Sequence, residues 1–336
     1  MEMEKRLETT QGNFLIRPYC HADEQNVLEL WELTFHKKMT VGMWRWKFID
    51  NPFSRQIMLC LNEENKPLAM YSGIPYNANW NGKDVLFTQL VDHMTHPKYR
   101  QAVSGRKGLF IKTGEHFFDV YGGQHASVFH YGFPGRIAFR LGSLLLQYNS
   151  VADGGAFLWS DIVSLKGKRM PSFGSVRKIT SAGEEFDALW NHAMPFFPFS
   201  AKRNRSFVQW RFFDHPENQY QFYVYKKPTG RIIAYAVIVV QNEIATVVDV
   251  FSLPRIDGID KIFQRIKTEL LNQGLLQIRA WLPKHHFITE YLLNLGFVQK
   301  DEPLGIIPSG RSFYDKLDFN YAQEHIFYSM ADADLF

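Results

Sequence analysis

Cysteine is almost absent from this chain of 336 residues, which contains only Cys20 and Cys60. Neither residue belongs to a Cys-x-x-Cys pair or to a cluster with histidine, so we expect no metal site. Two free thiols are typical of a protein in a reducing compartment. A disulfide between the two cysteines stays open as an alternative.

Long apolar runs are also missing. No stretch of about 18 apolar residues occurs, so the sequence predicts no membrane-spanning helix. The first residues, MEMEKRLETTQGN, are charged and lack the apolar segment of a signal peptide. We therefore expect a soluble cytoplasmic protein without a membrane partner.

Charge of one sign is not in strong excess. The chain has 38 Lys and Arg against 34 Asp and Glu, a formal net charge of +4. This balance is compatible with an anionic cofactor or substrate but is too weak to indicate a nucleic-acid partner. The length and the 46% of hydrophobic residues are sufficient for two globular domains.

The most informative stretch runs from Asp92 to Gly142. Its pattern predicts a strand with polar residues at its end, a loop rich in glycine and basic side chains, and a helix that begins near Gly108. A second strand at 126–131 and a short helix ending at Leu141-Gly142 follow. A basic glycine loop before a helix start is typical of an anion site, because the free N–H groups and the helix dipole favour negative charge.

The segments on either side of this stretch are read more simply. Residues 1–12 are expected to be a flexible start, and Phe14–Cys20 is predicted to be a strand. Helices up to Pro52 and a hairpin follow. The last residues, SMADADLF, are expected to form a surface tail.

An internal repeat divides the chain. The segment Trp46–Pro52 recurs at Trp210–Pro216 with the shared pattern W-[KR]-F-x-D-x-P. Each copy is followed by a predicted hairpin, a strand that carries Asp92 or Asp249, a helix and a further strand. This order indicates a duplication in which both tryptophans are core anchors.

The repeat predicts two tandem domains of the α/β (α+β) class, each a mixed twisted sheet flanked by helices. We place the N-terminal domain at 13–150, a connecting segment with a basic, Pro- and Ser-containing run at 151–200, and the C-terminal domain at 201–336.

The ordered motifs resemble those of the GNAT acyltransferase superfamily, and more closely those of tandem-GNAT bacterial acyltransferases. The resemblance covers residues 14–150 and, more loosely, 205–330. It implies acetyl-CoA or another acyl-CoA as cofactor, lying in a V-shaped split between two parallel strands. The motifs that carry it are W-K-F-x-D-x-P at 46–52, Gln89, Asp92-x-x-x-His96-Pro97-x-Tyr99-Arg100, Gly108-Leu109-Phe110, Tyr131-Gly132-Phe133-Pro134 and Leu141-Gly142.

The resemblance also implies site residues. Asp92 is a candidate base or orienting group, with capping of the strand end as the alternative. His96 is a candidate proton acceptor or a turn residue before Pro97, and Tyr131 is a candidate general acid or a packed aromatic. The residues expected to hold the cofactor are Met94, Thr95, Arg100, Gly105, Arg106, Lys107, Gly108, Leu109, Phe133 and Gly135.

The chain departs from the family pattern at several positions. The phosphate loop, RQAVSGRKGLF, is longer than usual, Phe139 stands where the family often has a proton-donating tyrosine, and Gly135 replaces an asparagine. The second copy has Asp257 and Asp260 at its helix start, where carboxylates would repel a pyrophosphate. We therefore interpret that copy as a degenerate domain without cofactor that helps to build the acceptor pocket.

Together these features predict an acyl-CoA-dependent N- or O-acyltransferase that acts on a small or sugar-like acceptor by direct transfer. Neither cysteine lies in a recognisable nucleophile setting. Two alternatives stay open, a tRNA-dependent aminoacyltransferase of the tandem-GNAT type and a non-catalytic CoA-binding protein.

Overall fold

The computed structural model describes residues 3–9, 12–100, 108–152, 155–167 and 173–333. Its strands are β1 (Lys5–Thr9), β2 (Gly12–Pro18), β3 (Gln56–Leu61), β4 (Pro67–Trp80), β5 (Lys83–Thr95), β6 (Ser127–Gly132), β7 (Asn149–Ser150), β8 (Ala156–Asp161), β9 (Ser175–Ile179), β10 (Phe199–Ala201), β11 (Gln221–Lys226), β12 (Ile232–Gln241), β13 (Ile244–Ser252), β14 (Gln277–Leu282), β15 (Val298–Lys300) and β16 (Ser309–Ser312). Its α-helices are α1 (Glu24–Phe35), α2 (Val41–Trp44), α3 (Leu109–Tyr121), α4 (Arg136–Leu146), α5 (Glu185–Ala193), α6 (Arg205–Val208), α7 (Ile256–Asn272), α8 (Phe287–Asn294) and α9 (Phe319–His325).

The chain divides into two compact units. The first takes its described residues from 1–77, 85–150 and 307–319, and the second takes them from 78–84, 151–306 and 320–336. Strands β8 and β9 of the second unit, and the first two residues of β10, come from residues 151–200, which the sequence set between its two predicted domains.

The first unit contains a mixed sheet in the order β1-β2-β3-β4-β5-β6-β16-β7, with β5 and β6 parallel. Strand β1 pairs antiparallel with β2, and Leu7, opposite Phe14, packs against the core. The expectation of a flexible start is therefore wrong for Lys5–Thr9, because this charged segment still directs an apolar side chain to the core.

The second unit contains a sheet in the order β15-β8-β14-β13-β12-β11-β9, in which β13 and β14 are parallel. Phe186 of α5 contacts Tyr235 of β12, with ring centroids 5.9 Å apart. Gly258 of α7 lies against Ala234, the preceding residue of β12. Since neighbouring strand residues point to opposite faces, α5 and α7 cover the two faces of this sheet. The predicted class of mixed sheets flanked by helices is confirmed.

The sequence repeat corresponds to a repeat of local structure. Thr40 and Asn204 accept hydrogen bonds from backbone N–H groups in the first turns of α2 and α6, respectively. Each short helix then continues into a π-helical segment, Arg45–Ile49 or Gln209–Phe213. The tryptophans of both segments are buried, as predicted for core anchors.

Each sheet receives one strand from outside its own copy of the repeat. Strand β16 lies between β6 and β7 of the first sheet, although it follows β15 in the chain. Strand β8 lies between β14 and β15 of the second sheet, although it follows β7. A Cβ at Gly310 of β16 would lie 2.3 Å from the Phe129 ring, so the close passage of β16 over β6 requires glycine there.

Helix α4 and the C-terminal residues differ from their predictions. Helix α4 runs to Leu146 and does not end at Gly142, where a Cβ would lie 2.3 Å from the Tyr148 ring. This glycine therefore permits close packing and does not terminate the helix. Residues 326–333 are buried, so the predicted surface tail is wrong for this part, where Asp332 forms an ion pair with the buried Arg203.

Candidate active site

The first sheet opens at the ends of its two parallel strands. Strands β5 and β6 pair from Leu86 opposite Ser127 to Gln89 opposite Tyr131. Strand β5 then runs on to Thr95, whereas β6 ends at Gly132 and the chain turns into α4. The pairing therefore ends three residues before Asp92. Sheets of this kind bind ligands in such a split at the carboxyl ends of their strands.

A buried ion pair lies at this split. Asp92 has a left-handed backbone, with φ of 54°, which aspartate tolerates better than most residues. The Nζ of Lys47 is 2.5 Å from Oδ2 of Asp92, and the two side chains are 2% and 7% exposed. Because neither side chain has much access to water, the lysine fixes the position of the carboxylate at the bend of β5.

Lys47 was missed by the sequence reasoning. It lies within the π-helical segment Arg45–Ile49, and such segments occur frequently at functional sites. One signal was present in the repeat, because the cation recurs as Arg211 between the same two aromatic residues.

His96 lies in the turn that follows β5. Its Nδ1 accepts a hydrogen bond of 3.3 Å from the backbone N–H of Lys98, so the side chain caps the turn Pro97–Tyr99. Desolvation lowers the pKa of His96, and the charge of Lys98 adds a smaller effect in the same direction. The ring is therefore neutral at pH 7, with its proton on Nε2 in this arrangement.

Strand β6 presents different side chains on its two faces. Tyr131 is buried, and its ring centroid lies 6.4 Å from that of Phe129 and 5.9 Å from that of Phe133. His130 points to the other face and packs against Phe118 of α3. Burial lowers the pKa of His130 to about 3, so this histidine is neutral in the core. The face of β6 that carries Phe129 and Tyr131 is thus aromatic, and Tyr131 supplies the one phenol hydroxyl of this pair.

The start of α3 lies where the sequence predicted a helix start, near Gly108. Gly108 precedes the helix in an extended conformation and has no side chain to cap the first turn, and that turn contains no acidic residue. Leu109 is buried and anchors this turn in the core. The free N–H groups of a helix start favour an anion. Gly105, Arg106 and Lys107 lie outside the residues that the structure describes.

The remaining predicted cofactor residues lie near the strand ends. Met94 is buried, and the carbonyl of Thr95 accepts a 3.2 Å hydrogen bond from Nε of Arg100. Arg100 also donates to the Thr34 carbonyl at 3.4 Å, so it binds the end of β5 to α1. Gly135 is exposed and precedes α4. The ends of β5 and β6 together carry Asp92, Met94, Thr95, Tyr131 and Phe133.

The equivalent helix start in the second unit has a different character. Asp260, in the first turns of α7, is 1% exposed and accepts a 2.9 Å hydrogen bond from Nε2 of Gln264. A buried carboxylate beside a helix start opposes the approach of a phosphate. This observation agrees with the interpretation of the second copy as a domain without cofactor.

The cysteines, the possible metal ligands and the helices of the described residues bear on other kinds of function. Cys20 and Cys60 are both free, and burial raises the pKa of Cys60 to about 12. Among the described residues, no three His, Cys, Asp or Glu side chains are grouped so as to bind a metal ion. Across the described ranges, every helix is too short or too polar to cross a bilayer.

Comparison with known proteins places this site in a family domain. Residues 15–139 match the model of the acetyltransferase (GNAT) domain family. A search of curated proteins by sequence found no significant match.

Solved structures show the same fold at low sequence identity. A probable N-acyltransferase from Enterococcus faecalis has a TM-score of 0.64 and 12% identity, over 89% of this chain and 73% of that chain. A GCN5-related N-acetyltransferase from Anabaena variabilis has a TM-score of 0.65 and 11% identity, over 89% and 73%. A region described as a glucosamine N-acetyltransferase in a fungal β-N-acetylglucosaminidase has a TM-score of 0.56 and 13% identity, over 88% and 38%. The chain has a GNAT fold, and the domain match supports an acyltransferase.

Proposed function

We propose that this chain is an acyl-CoA-dependent N- or O-acyltransferase that transfers an acyl group, acetyl in the first instance, directly to a small or sugar-like acceptor. One observation carries the proposal. The pairing of β5 with β6 ends at Gln89, and α3, the next α-helix among the described residues, begins at Leu109; both lie within the residues that match the GNAT domain. A strand split followed along the chain by a helix start suits a long ligand with a phosphate group.

The residues of this split divide into two sets for the cofactor. The backbone groups of Met94 and Thr95, with Phe133 and Gly135, would hold the pantetheine arm. The start of α3, at Gly108 and Leu109, would hold the pyrophosphate together with Arg100, Gly105, Arg106 and Lys107. When bound, acyl-CoA supplies an activated thioester.

Three side chains have proposed roles in the chemistry. Asp92, held by Lys47, accepts a hydrogen bond from the amine or hydroxyl of the acceptor and orients it. His96 is neutral at pH 7 and accepts the acceptor proton, since its long bond from Lys98 is easily released. Tyr131 on the facing strand donates a proton to the departing thiolate.

Direct transfer is supported by the state of the cysteines. An acyl-enzyme on cysteine would require a reactive thiolate, but the raised pKa of Cys60 keeps this buried thiol protonated. The thiols are free, as in proteins of reducing compartments, and we place the reaction in the cytoplasm. The fold of the fungal glucosamine N-acetyltransferase region supports a sugar-like acceptor.

The second unit completes a tandem-GNAT arrangement in this proposal. It repeats the π-helical segment and the parallel strand pair of the first unit. Its acidic helix start makes one cofactor per chain the expected stoichiometry.

Calorimetric titration with acetyl-CoA tests the binding site. We expect one acetyl-CoA per chain. Its affinity should fall at least about tenfold in the Arg106→Glu/Lys107→Glu variant, because two cations that attract phosphate are replaced by two carboxylates that repel it. The matched charge reversal Lys5→Glu/Arg6→Glu on β1 should leave the affinity unchanged. Absence of heat with the unaltered chain would overturn the proposal, whereas binding of charged tRNA instead would favour the aminoacyltransferase alternative.

Release of free thiol during turnover tests the role of Tyr131. With acetyl-CoA and a panel of amino sugars, we expect kcat of Tyr131→Phe to fall by roughly a hundredfold, the lower end for general acid catalysis, while acetyl-CoA binding persists. Tyr321→Phe in the second unit serves as the control. A Tyr131→Phe enzyme with unchanged kcat would remove this residue from the chemistry, and binding without any thiol release would favour a CoA-binding protein.

A further inference from the structure

The C-terminal segment, defined as residues 326–333, is buried in the second unit. The N–H of Phe327 donates to the carbonyl of Phe199 in β10, at 2.9 Å. Residues Met330–Asp332 then form a short helical turn that packs on β13 and β14. The segment begins in an extended conformation and ends in a short helical turn. It therefore resembles a bound peptide more than a strand of the sheet.

The segment lies where the two parallel strands of the second sheet part. Their pairing ends with Val247 opposite Ala280. Two residues beyond this point on β13, Asp249 accepts a 2.7 Å hydrogen bond from the Ser329 hydroxyl. On β14, the ring of Trp281 is 5.0 Å from that of Tyr328. The segment therefore contacts both strand ends of the split that corresponds to the cofactor split of the first sheet.

The repeat shows which groups hold the segment. Asp249 and Arg211 are the counterparts of Asp92 and Lys47, which bind each other in the first unit. In the second unit both counterparts contact the segment, since Nε of Arg211 donates to the Ala331 carbonyl at 3.0 Å. The segment thus presents a hydroxyl donor to the carboxylate and a carbonyl acceptor to the cation.

A further ion pair anchors the end of the segment. The Arg203 guanidinium binds both carboxylate oxygens of Asp332, with Nη1 to Oδ1 at 3.0 Å, and these side chains are 0% and 2% exposed. Its Nε also binds Asp249 at 3.1 Å. Bidentate pairing of this kind is strong and geometrically specific. One arginine therefore joins the strand end to the segment.

We infer that the split of the second sheet is a peptide-binding site whose ligand is the C-terminal segment of the same chain, and that this ligand excludes an acyl-CoA. The inference stands on contacts within the second unit and does not depend on acyl transfer in the first. It gives the second copy of the repeat a function of its own, the capture of a peptide through the two groups that the repeat preserves.

Peptide exchange after cleavage of the folded chain tests this inference. A protease site inserted after the exposed Lys316 allows the full chain to fold before it is cut. We expect the fragment 317–336 to elute with the rest of the chain and to exchange, one for one, with a fluorescent peptide of the same sequence. A competing peptide with Asp332→Ala should bind at least about 30-fold more weakly, because it lacks the carboxylate that accepts two bonds from the buried Arg203, which then keeps Asp249 as its carboxylate partner. Glu324→Gln, at an exposed position, should compete like the native peptide.

Two results would overturn the inference. One is a folded, cut chain that takes up no fluorescent peptide. The other is equal competition by the native and Asp332→Ala peptides. Hydrogen exchange on the uncut chain adds an independent measurement. In Asp332→Asn we expect the amides of 327–333 to exchange at least about tenfold faster while β11 and β12 stay protected, and opening only together with those strands would count against a separable ligand.

Discussion

The Arg203→Met variant should lose about 3–5 kcal/mol of unfolding free energy, because the substitution leaves two buried carboxylates without their cation. Asp249 and Asp332 are both within hydrogen-bond distance of Arg203 and are almost fully buried. Burial raises the pKa of Asp332, and Arg203 opposes that rise. Urea unfolding at pH 7, followed by tryptophan fluorescence, measures the loss.

An exposed arginine provides the control for this variant. Arg265 pairs with Glu269 on α7, but its side chain is 60% exposed. Arg265→Met should therefore cost less than about 1 kcal/mol, as is usual for surface ion pairs. Equal losses of unfolding free energy in the two variants would mean that the buried cluster stabilises the protein no more than a surface ion pair does. Partial recovery in Arg203→Met/Asp332→Asn would show that the uncompensated carboxylate is the cause.

The second large effect is expected at Lys47, in the first unit. Lys47→Met leaves Asp92 without its ion-pair partner at the end of β5, so we expect a loss of about 3 kcal/mol of unfolding free energy. If the proposed orienting role of Asp92 is correct, kcat/KM should also fall by roughly a hundredfold, because the carboxylate is no longer held in position. Unfolding curves and thiol-release kinetics measure the two effects separately.

Two further variants separate folding from function at this pair. Lys47→Arg keeps the charge, and arginine stands at the equivalent position of the second copy, so it should retain most of the stability. The double variant Lys47→Met/Asp92→Asn removes both charges and should regain stability without regaining activity. A Lys47→Met enzyme with normal kcat/KM would show that this ion pair has no part in the reaction.

Local patterns made the fold predictable in outline. The sequence pattern predicted the helix that begins near Gly108, which is α3, and the duplicated W-[KR]-F-x-D-x-P segment identified the two copies and the helix that is α7. These features depend on neighbours in sequence, since a helix or hairpin is specified largely by its own side chains and turns. The helix start at Gly108 was found for the same reason.

Contacts between distant segments were not predictable in this way. Strand β16 contains only Ser, Gly, Arg and Ser, a composition without strand character, and its pairing with β6 supplies what the sequence does not. Lys47 and Asp92 are far apart in the chain and meet only when the π-helical segment reaches β5. No periodicity in the sequence predicts this contact, because it depends on how whole helices and strands pack.

The sequence by itself determined the repeat, the order of the main elements within each copy and the place of the helix start at Gly108, all of which follow from local composition and spacing. Only the tertiary structure decided which strands complete each sheet, which cation holds Asp92 and what lies in the second split. The physical reason is the same in each case. Buried charges and the backbone groups of unpaired strands require partners. Those partners are the groups that lie close in the folded structure, whatever their separation in the sequence.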